Sequence, residues 1–140
     1  MKFWDTSALF ALLVDHQGSD RAKAALAGDP DASIWWGTAV ELASGAARLL
    51  RMKEIDEAHC TRILASIGPI VRTAEEIQPN EEVRQIALRL IRVHDLTAAD
   101  SLQLAAALVW ARHVPAGLEF VCLDTKLRSA AEKEGFTVLG

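Results

Sequence analysis

Phe3-Trp4-Asp5-Thr6-Ser7-Ala8-Leu9-Phe10-Ala11-Leu12-Leu13-Val14 is the stretch from which the fold can be read. Two large apolar residues end a short buried strand. Asp5-Thr6-Ser7 then offers side-chain oxygens of the kind that cap a helix, and Ala8 to Val14 supply the helix itself. The same order returns near the other end: Phe120-Val121-Cys122-Leu123 is β-prone and closes on Asp124, Thr125 to Glu134 read as a helix, and Gly135 stops it. A third strand is predicted at Ser33 to Trp36, leading through Gly37-Thr38 into the alanine-rich stretch Ala39 to Arg51, and Phe136 to Leu139 read as a last strand.

Between these lie helical patterns at Asp20 to Ala27 and Asp56 to Ser66, a turn expected at Gly68-Pro69, and a strand somewhere within Ile70 to Ile77. Pro79-Asn80 introduces Glu81 to His94, where Val83, Ile86, Ala87, Leu90 and Ile91 recur at three- and four-residue spacing and make one apolar face. Thr97 to Arg112 differs: apart from Asp100 and Gln103 it is apolar or small all round until Arg112, which predicts a central helix packed on several sides. Short strands alternating with helices imply an α/β layer fold with a mainly parallel sheet. In such sheets the ligand site lies beyond the carboxyl ends of the strands, where Asp5 and Asp124 are both expected.

The chain has 140 residues, near the roughly 150 of one domain, so a single domain over 1–140 is expected. Half the residues are hydrophobic, enough for an ordinary core, which excludes wholesale disorder. A net charge of −4 argues against gripping nucleic acid by bulk positive charge, so a polyanion must be met locally. Cys60 and Cys122 form no CxxC pair and no disulfide framework, which suits a reducing, cytoplasmic setting. The first residues lack the basic leader and cleavage pattern of an export signal. The apolar run from Ser101 to Ala111 falls far short of the roughly 20 residues that span a bilayer, so no membrane partner is expected.

Of nineteen acidic residues most sit in mixed-charge stretches, where a solvated face explains them. Four stand alone in apolar company: Asp5, Glu41, Asp100 and Asp124. A buried lone carboxylate must be neutralised by a proton, a base or a metal. Asp5 and Asp124 read equally as helix caps, and Thr97-Ala98-Ala99-Asp100 reads as a capping box with Asp in place of the usual Glu. Glu41 has no basic partner at i±3 or i±4; its nearest same-face base is Arg48. If the four converge, their repulsion is best relieved by a hard divalent cation, Mg²⁺ or Mn²⁺, because the donors are all oxygens and His16, His59, His94 and His113 show no ligand spacing. Such clusters suit phosphodiester hydrolysis. Without the formal charge of these four, the rest of the chain is neutral.

Asp5-Thr6-Ser7-Ala8-Leu9, Val40-Glu41-Leu42-Ala43-Ser44, Leu96-Thr97-Ala98-Ala99-Asp100-Ser101-Leu102-Gln103-Leu104-Ala105-Ala106-Ala107 and Leu123-Asp124-Thr125-Lys126-Leu127 closely resemble PIN-domain proteins, in particular VapC-type toxins of bacterial toxin–antitoxin modules. The resemblance covers essentially the whole chain. It implies a three-layer α/β/α sandwich, Mg²⁺- or Mn²⁺-dependent endoribonuclease activity, homodimers, and inhibition by a cognate VapB-type antitoxin. It maps the acidic site onto Asp5, Glu41, Asp100 and Asp124, with Asp5, Asp100 and Asp124 as main metal ligands and Glu41 at a second ion or orienting the attacking water. Two positions depart from the family pattern: Thr97 stands where many relatives have Arg, and Cys122 where Thr or Ser is common.

Arg48, Arg51, Lys126 and Arg128 lie near site residues in sequence and are candidate RNA contacts, with solvated surface charge as the plainer reading. Trp35 and Trp36 either stack on bases or enter the core. Leu9, Leu12 and Leu13 either pack inside or line a partner groove. A non-catalytic RNA- or protein-binding module on the same scaffold, and a haloacid-dehalogenase-like phosphatase, are the alternatives. The phosphatase pattern needs a second Asp two positions after the first, where this chain has Ser7.

Overall fold

Phe3-Trp4, Ile34-Trp35 and Phe120-Val121 are apolar on both faces of their strands, so these strands must be covered on two sides, and the computed structural model shows how. It describes residues 1–15 and 17–140. In chain order the elements are β1 (Lys2–Trp4), α1 (Thr6–Leu13), α2 (Ser19–Gly28), β2 (Ala32–Trp35), α3 (Thr38–Arg51), α4 (Glu57–Thr73), β3 (Glu75–Ile77), α5 (Glu81–Val93), α6 (Ala98–Trp110), β4 (Glu119–Val121), α7 (Thr125–Glu134) and β5 (Thr137–Leu139). The five strands form one sheet in the order β3-β2-β1-β4-β5, and every pair is parallel.

Successive residues of a strand point to opposite faces. Phe3, Trp35 and Phe120 therefore enter one core with α5, α6 and α7, while Trp4, Ile34 and Val121 enter another with α1, α2, α3 and α4. That is a three-layer α/β/α sandwich. α6 is buried along Ser101 and Gln103–Leu108, as its all-round apolar sequence predicts. Leu9 is buried, and Leu12 and Leu13 pack partly buried against the second core. Trp35 is buried and meets Trp36 edge-on at 6.4 Å between ring centroids, while Trp36 stays 48% exposed. Among the described residues no helix is long and apolar enough to cross a membrane.

The turn expected at Gly68-Pro69 does not form: α4 runs through it to Thr73, with Pro69 inside the helix. Proline deletes one N–H and crowds the preceding turn. Here its ring is on the exposed side, while Ile67, Ile70 and Val71 pack against the second core and hold the last turn helical. The strand expected within Ile70 to Ile77 is consequently only Glu75–Ile77. Elsewhere boundaries shift by a few residues, as when α1 starts at Thr6 because Asp5 is already its cap.

The sheet order has a physical consequence. β1 to β3 advance in one direction with α1–α4 covering one face, and the chain then returns by α5 and α6 over the other face to place β4 beside β1. The carboxyl ends of β1 and β4 thus meet where the winding reverses, the position at which open α/β sheets leave a crevice.

Candidate active site

A cleft of about 610 Å³ opens at that reversal, and Asp5, Glu41, Asp100 and Asp124 all line it. Asp5 follows β1 directly; its N–H donates to the Val121 carbonyl at 3.0 Å, which ties it to β4. Its Oδ2 accepts from the Ser7 N–H at 2.9 Å and the Ser7 hydroxyl at 2.5 Å, and it is only 4% exposed. Asp124 caps α7, accepting from the Leu127 N–H at 2.8 Å. Both residues are therefore helix caps and cleft residues together, since a cap engages one carboxylate oxygen and leaves the second for another partner.

Asp100 sits in the first turn of α6, and its Oδ2 accepts from the Thr97 hydroxyl at 2.7 Å while Thr97 Oγ1 accepts from the Asp100 N–H at 3.2 Å. The capping box is thus turned inward on the two side chains. Glu41 lies one turn into α3 and its Oε1 accepts from Gln103 Nε2 at 3.1 Å.

The electrostatics follow from burial of like charges. Burial pushes the Asp5 carboxyl up, helped by the charge of Asp100 and opposed by the hydrogen bonds from Ser7 and Cys122. Burial, then the charges of Asp5 and Asp100, pushes Glu41 up to about 7 against the hydrogen bonds of Gln103 and Thr6. Cys122 Sγ lies 3.5 Å from Asp5 Oδ2, and burial together with that carboxylate drives the thiol further toward its neutral form. Burial and like charge thus dominate at Asp5 and Glu41, and no basic side chain among the described residues figures in either shift.

Among the described residues no three Asp, Glu, His or Cys side chains already surround one point closely enough to hold an ion. The donor chemistry nevertheless fits a hard divalent cation: four carboxylates face one cleft, and two of them are destabilised as anions by burial and by their neighbours. Of the basic candidates, Arg48 and Arg51 line the cleft. Lys126 instead pairs with Asp95 at 2.6 Å, and Arg128 is not part of the lining. His94 and His113 pair with Glu134 and Glu82, His59 is outside the cleft, and His16 lies outside the described residues.

Two residues carry more than their sequence setting suggested. Ser7 does not turn its hydroxyl loose into the cleft: it donates to Asp5 and accepts from the Leu123 N–H at 2.9 Å, joining α1 to the end of β4. Gln103 is fully buried and reaches three oxygens on two other helices, α1 and α3; its sequence signal was that of a lone amide within an apolar helix.

Comparison with the curated proteins finds no match. Among solved structures, the chain is similar to FitAcB from Neisseria gonorrhoeae at 22% identity, with a TM-score of 0.68, covering 100% of this chain and 97% of that one. It is also similar to a toxin–antitoxin complex from Klebsiella pneumoniae (20% identity, TM-score 0.64, covering 90% and 88%) and to PAE2754 from Pyrobaculum aerophilum (21%, 0.61, covering 96% and 81%). At these identities the likeness speaks to the fold. The PIN domain family model matches residues 2–133, and with the parallel sheet and the position of the cleft this leads to one conclusion: the chain belongs to the PIN domain family.

Proposed function

We propose that this chain is a divalent-metal-dependent endoribonuclease that acts as the toxin of a toxin–antitoxin module. The observation that carries the reading is the convergence of Asp5, Glu41, Asp100 and Asp124, from four separate segments, on one cleft at the carboxyl end of the sheet. Asp5, Asp100 and Asp124 would hold Mg²⁺ or Mn²⁺, which when bound supplies water activation and charge stabilisation at a phosphodiester.

The chain's own groups do the rest. Glu41, which lines the cleft with the three aspartates, would hold a second ion or orient the attacking water. Arg48 and Arg51 at the cleft meet phosphates, which positions RNA without reading its sequence. The exposed indole of Trp36 offers a base a stacking surface. The similar Klebsiella structure is a toxin–antitoxin complex, which supports a cognate antitoxin, of VapB type by the sequence resemblance, as partner. A homodimer in the cytoplasm completes the proposal.

The purified chain should cleave single-stranded RNA in Mg²⁺ or Mn²⁺. EDTA should abolish this, and Asp5→Ala should lower it at least about 100-fold, beyond the usual 10–100-fold cost of losing a supporting partner. Cleavage unchanged by both treatments would rule out the cleft.

A further inference from the structure

We propose that Gln103 is a positioning residue of this cleft: its buried side-chain amide sets the direction in which the Glu41 carboxylate faces. The inference rests on the nuclease reading and adds to it a residue outside the acidic set. Gln103 Nε2 is 2.6 Å from Thr6 Oγ1, 3.1 Å from Glu41 Oε1 and 3.4 Å from Thr38 Oγ1. Each member of this network stands beside a cleft acid in sequence: Thr6 follows Asp5, Thr38 is three residues before Glu41, and Gln103 is three residues after Asp100. One amide thus ties together the starts of α1, α3 and α6, which carry or directly follow three of the four acids.

The chemistry makes the orientation one-way. A hydroxyl can donate or accept, but an ionised carboxylate only accepts. Turning the amide over would set its oxygen against Glu41 Oε1, so the carboxylate decides which end of the amide faces it, and the amide in turn holds the carboxylate.

The other end of the amide has nothing to offset its burial. Among the described residues Gln103 Oε1 is buried with no hydrogen-bond partner, although the residue is fully enclosed and followed by the apolar run Leu104 to Leu108. An unmade buried hydrogen bond costs stability, whereas leucine or methionine would fill similar space without it. Stability alone would favour the apolar residue; holding Glu41 favours the amide.

The test is Gln103→Leu in the full chain, with Gln103→Met as a second, more adaptable filler. Thermal melting without metal, Mn²⁺ affinity by calorimetric titration, and single-turnover cleavage of a single-stranded RNA oligonucleotide are measured, alone and on a Glu41→Gln background. At least one apolar variant is expected to melt at or above the wild-type temperature. That variant should bind Mn²⁺ about ten-fold more weakly and cleave about ten-fold more slowly at saturating RNA, with KM for RNA unchanged. On the Glu41→Gln background the same substitution should leave Mn²⁺ affinity unaltered, the signature of a residue acting through Glu41.

The proposal is overturned if a folded variant matches the wild type in Mn²⁺ affinity and rate, or if its loss is undiminished on the Glu41→Gln background. It is also overturned if both apolar variants lose function only in step with their melting temperature. A wild-type chain that neither binds Mn²⁺ nor cleaves RNA overturns the nuclease reading and this inference with it; an active wild type equalled by Gln103→Leu overturns this inference alone.

Discussion

At the residue scale, burial makes two acids of the cleft, Asp5 and Glu41, costly to the fold as anions. Asp5 is buried beside Asp100 with its carboxyl pushed up, so the metal-free folded state bears the cost of that charge. Asp5→Asn keeps an oxygen for the Ser7 N–H and removes the charge. It should raise the metal-free melting temperature by about 3 °C or more, what about 1 kcal/mol produces in a chain of this size, while RNA cleavage is lost. A variant that melts lower and keeps activity would contradict this reading. Glu41 supplies a pH signature. Its folded value of about 7 is above the ordinary 4.5, so between these values the folded state binds more protons than the unfolded one. Stability without metal should therefore fall as pH rises from 4.5 to above 7, and Glu41→Gln should flatten that slope in calorimetric melts with EDTA. Glu134, held low chiefly by its hydrogen bond from Arg89, acts in the opposite sense, and its contribution is lost only as pH falls below the ordinary carboxylate range.

At the scale of elements, the unit of construction is strand, carboxylate, helix. In β1–Asp5–α1 and β4–Asp124–α7 the acid that follows the strand also caps the next helix, so local folding carries a carboxylate to the carboxyl end of the sheet without extra machinery. Gly135, at φ 109°, closes α7 in the left-handed conformation and returns the chain to β5. α4 shows the opposite relation, a local signal overridden. Pro69 remains helical because its neighbours Ile67, Ile70 and Val71 are held by the core. Pro69→Ala should then restore an N–H to the helix and stabilise the chain by about 1–2 kcal/mol, the roughly 3 kcal/mol interior-proline penalty less the entropy the unfolded chain regains. The urea midpoint measures it, and a lowered midpoint would mean that the proline is better accommodated than its position suggests.

At the scale of the whole molecule, the reversal of winding between β1 and β4 is what brings scattered acids to one cleft. Helices from both layers contribute: α3 brings Glu41 from one face of the sheet and α6 brings Asp100 from the other. A ligand held by both layers should stabilise the fold as a unit. At 100 times its dissociation constant, Mn²⁺ should add about 2.7 kcal/mol, seen as a rise in melting temperature that EDTA reverses and that Asp5→Ala with Asp100→Ala removes. A melting curve indifferent to Mn²⁺ would refute the assignment of these carboxylates.

Much of this was legible in the chain itself, for reasons that are local. Burial on both strand faces, capping residues at Asp5, Thr97 and Asp124, and the apolar circumference of α6 all act over a few residues, and they determined an α/β architecture and singled out the four acids. What only the tertiary structure decided depends on contacts between distant segments. It carried α4 through Pro69, separated Arg48 and Arg51 from Lys126 as cleft residues, and buried Trp35 while leaving Trp36 exposed. It also turned Gln103 from an oddity in an apolar helix into the hub of a hydrogen-bond network. A residue's own periodicity says which way it faces, but only the packed layers say what it faces, because burial and like-charge repulsion are properties of neighbours brought from elsewhere in the chain.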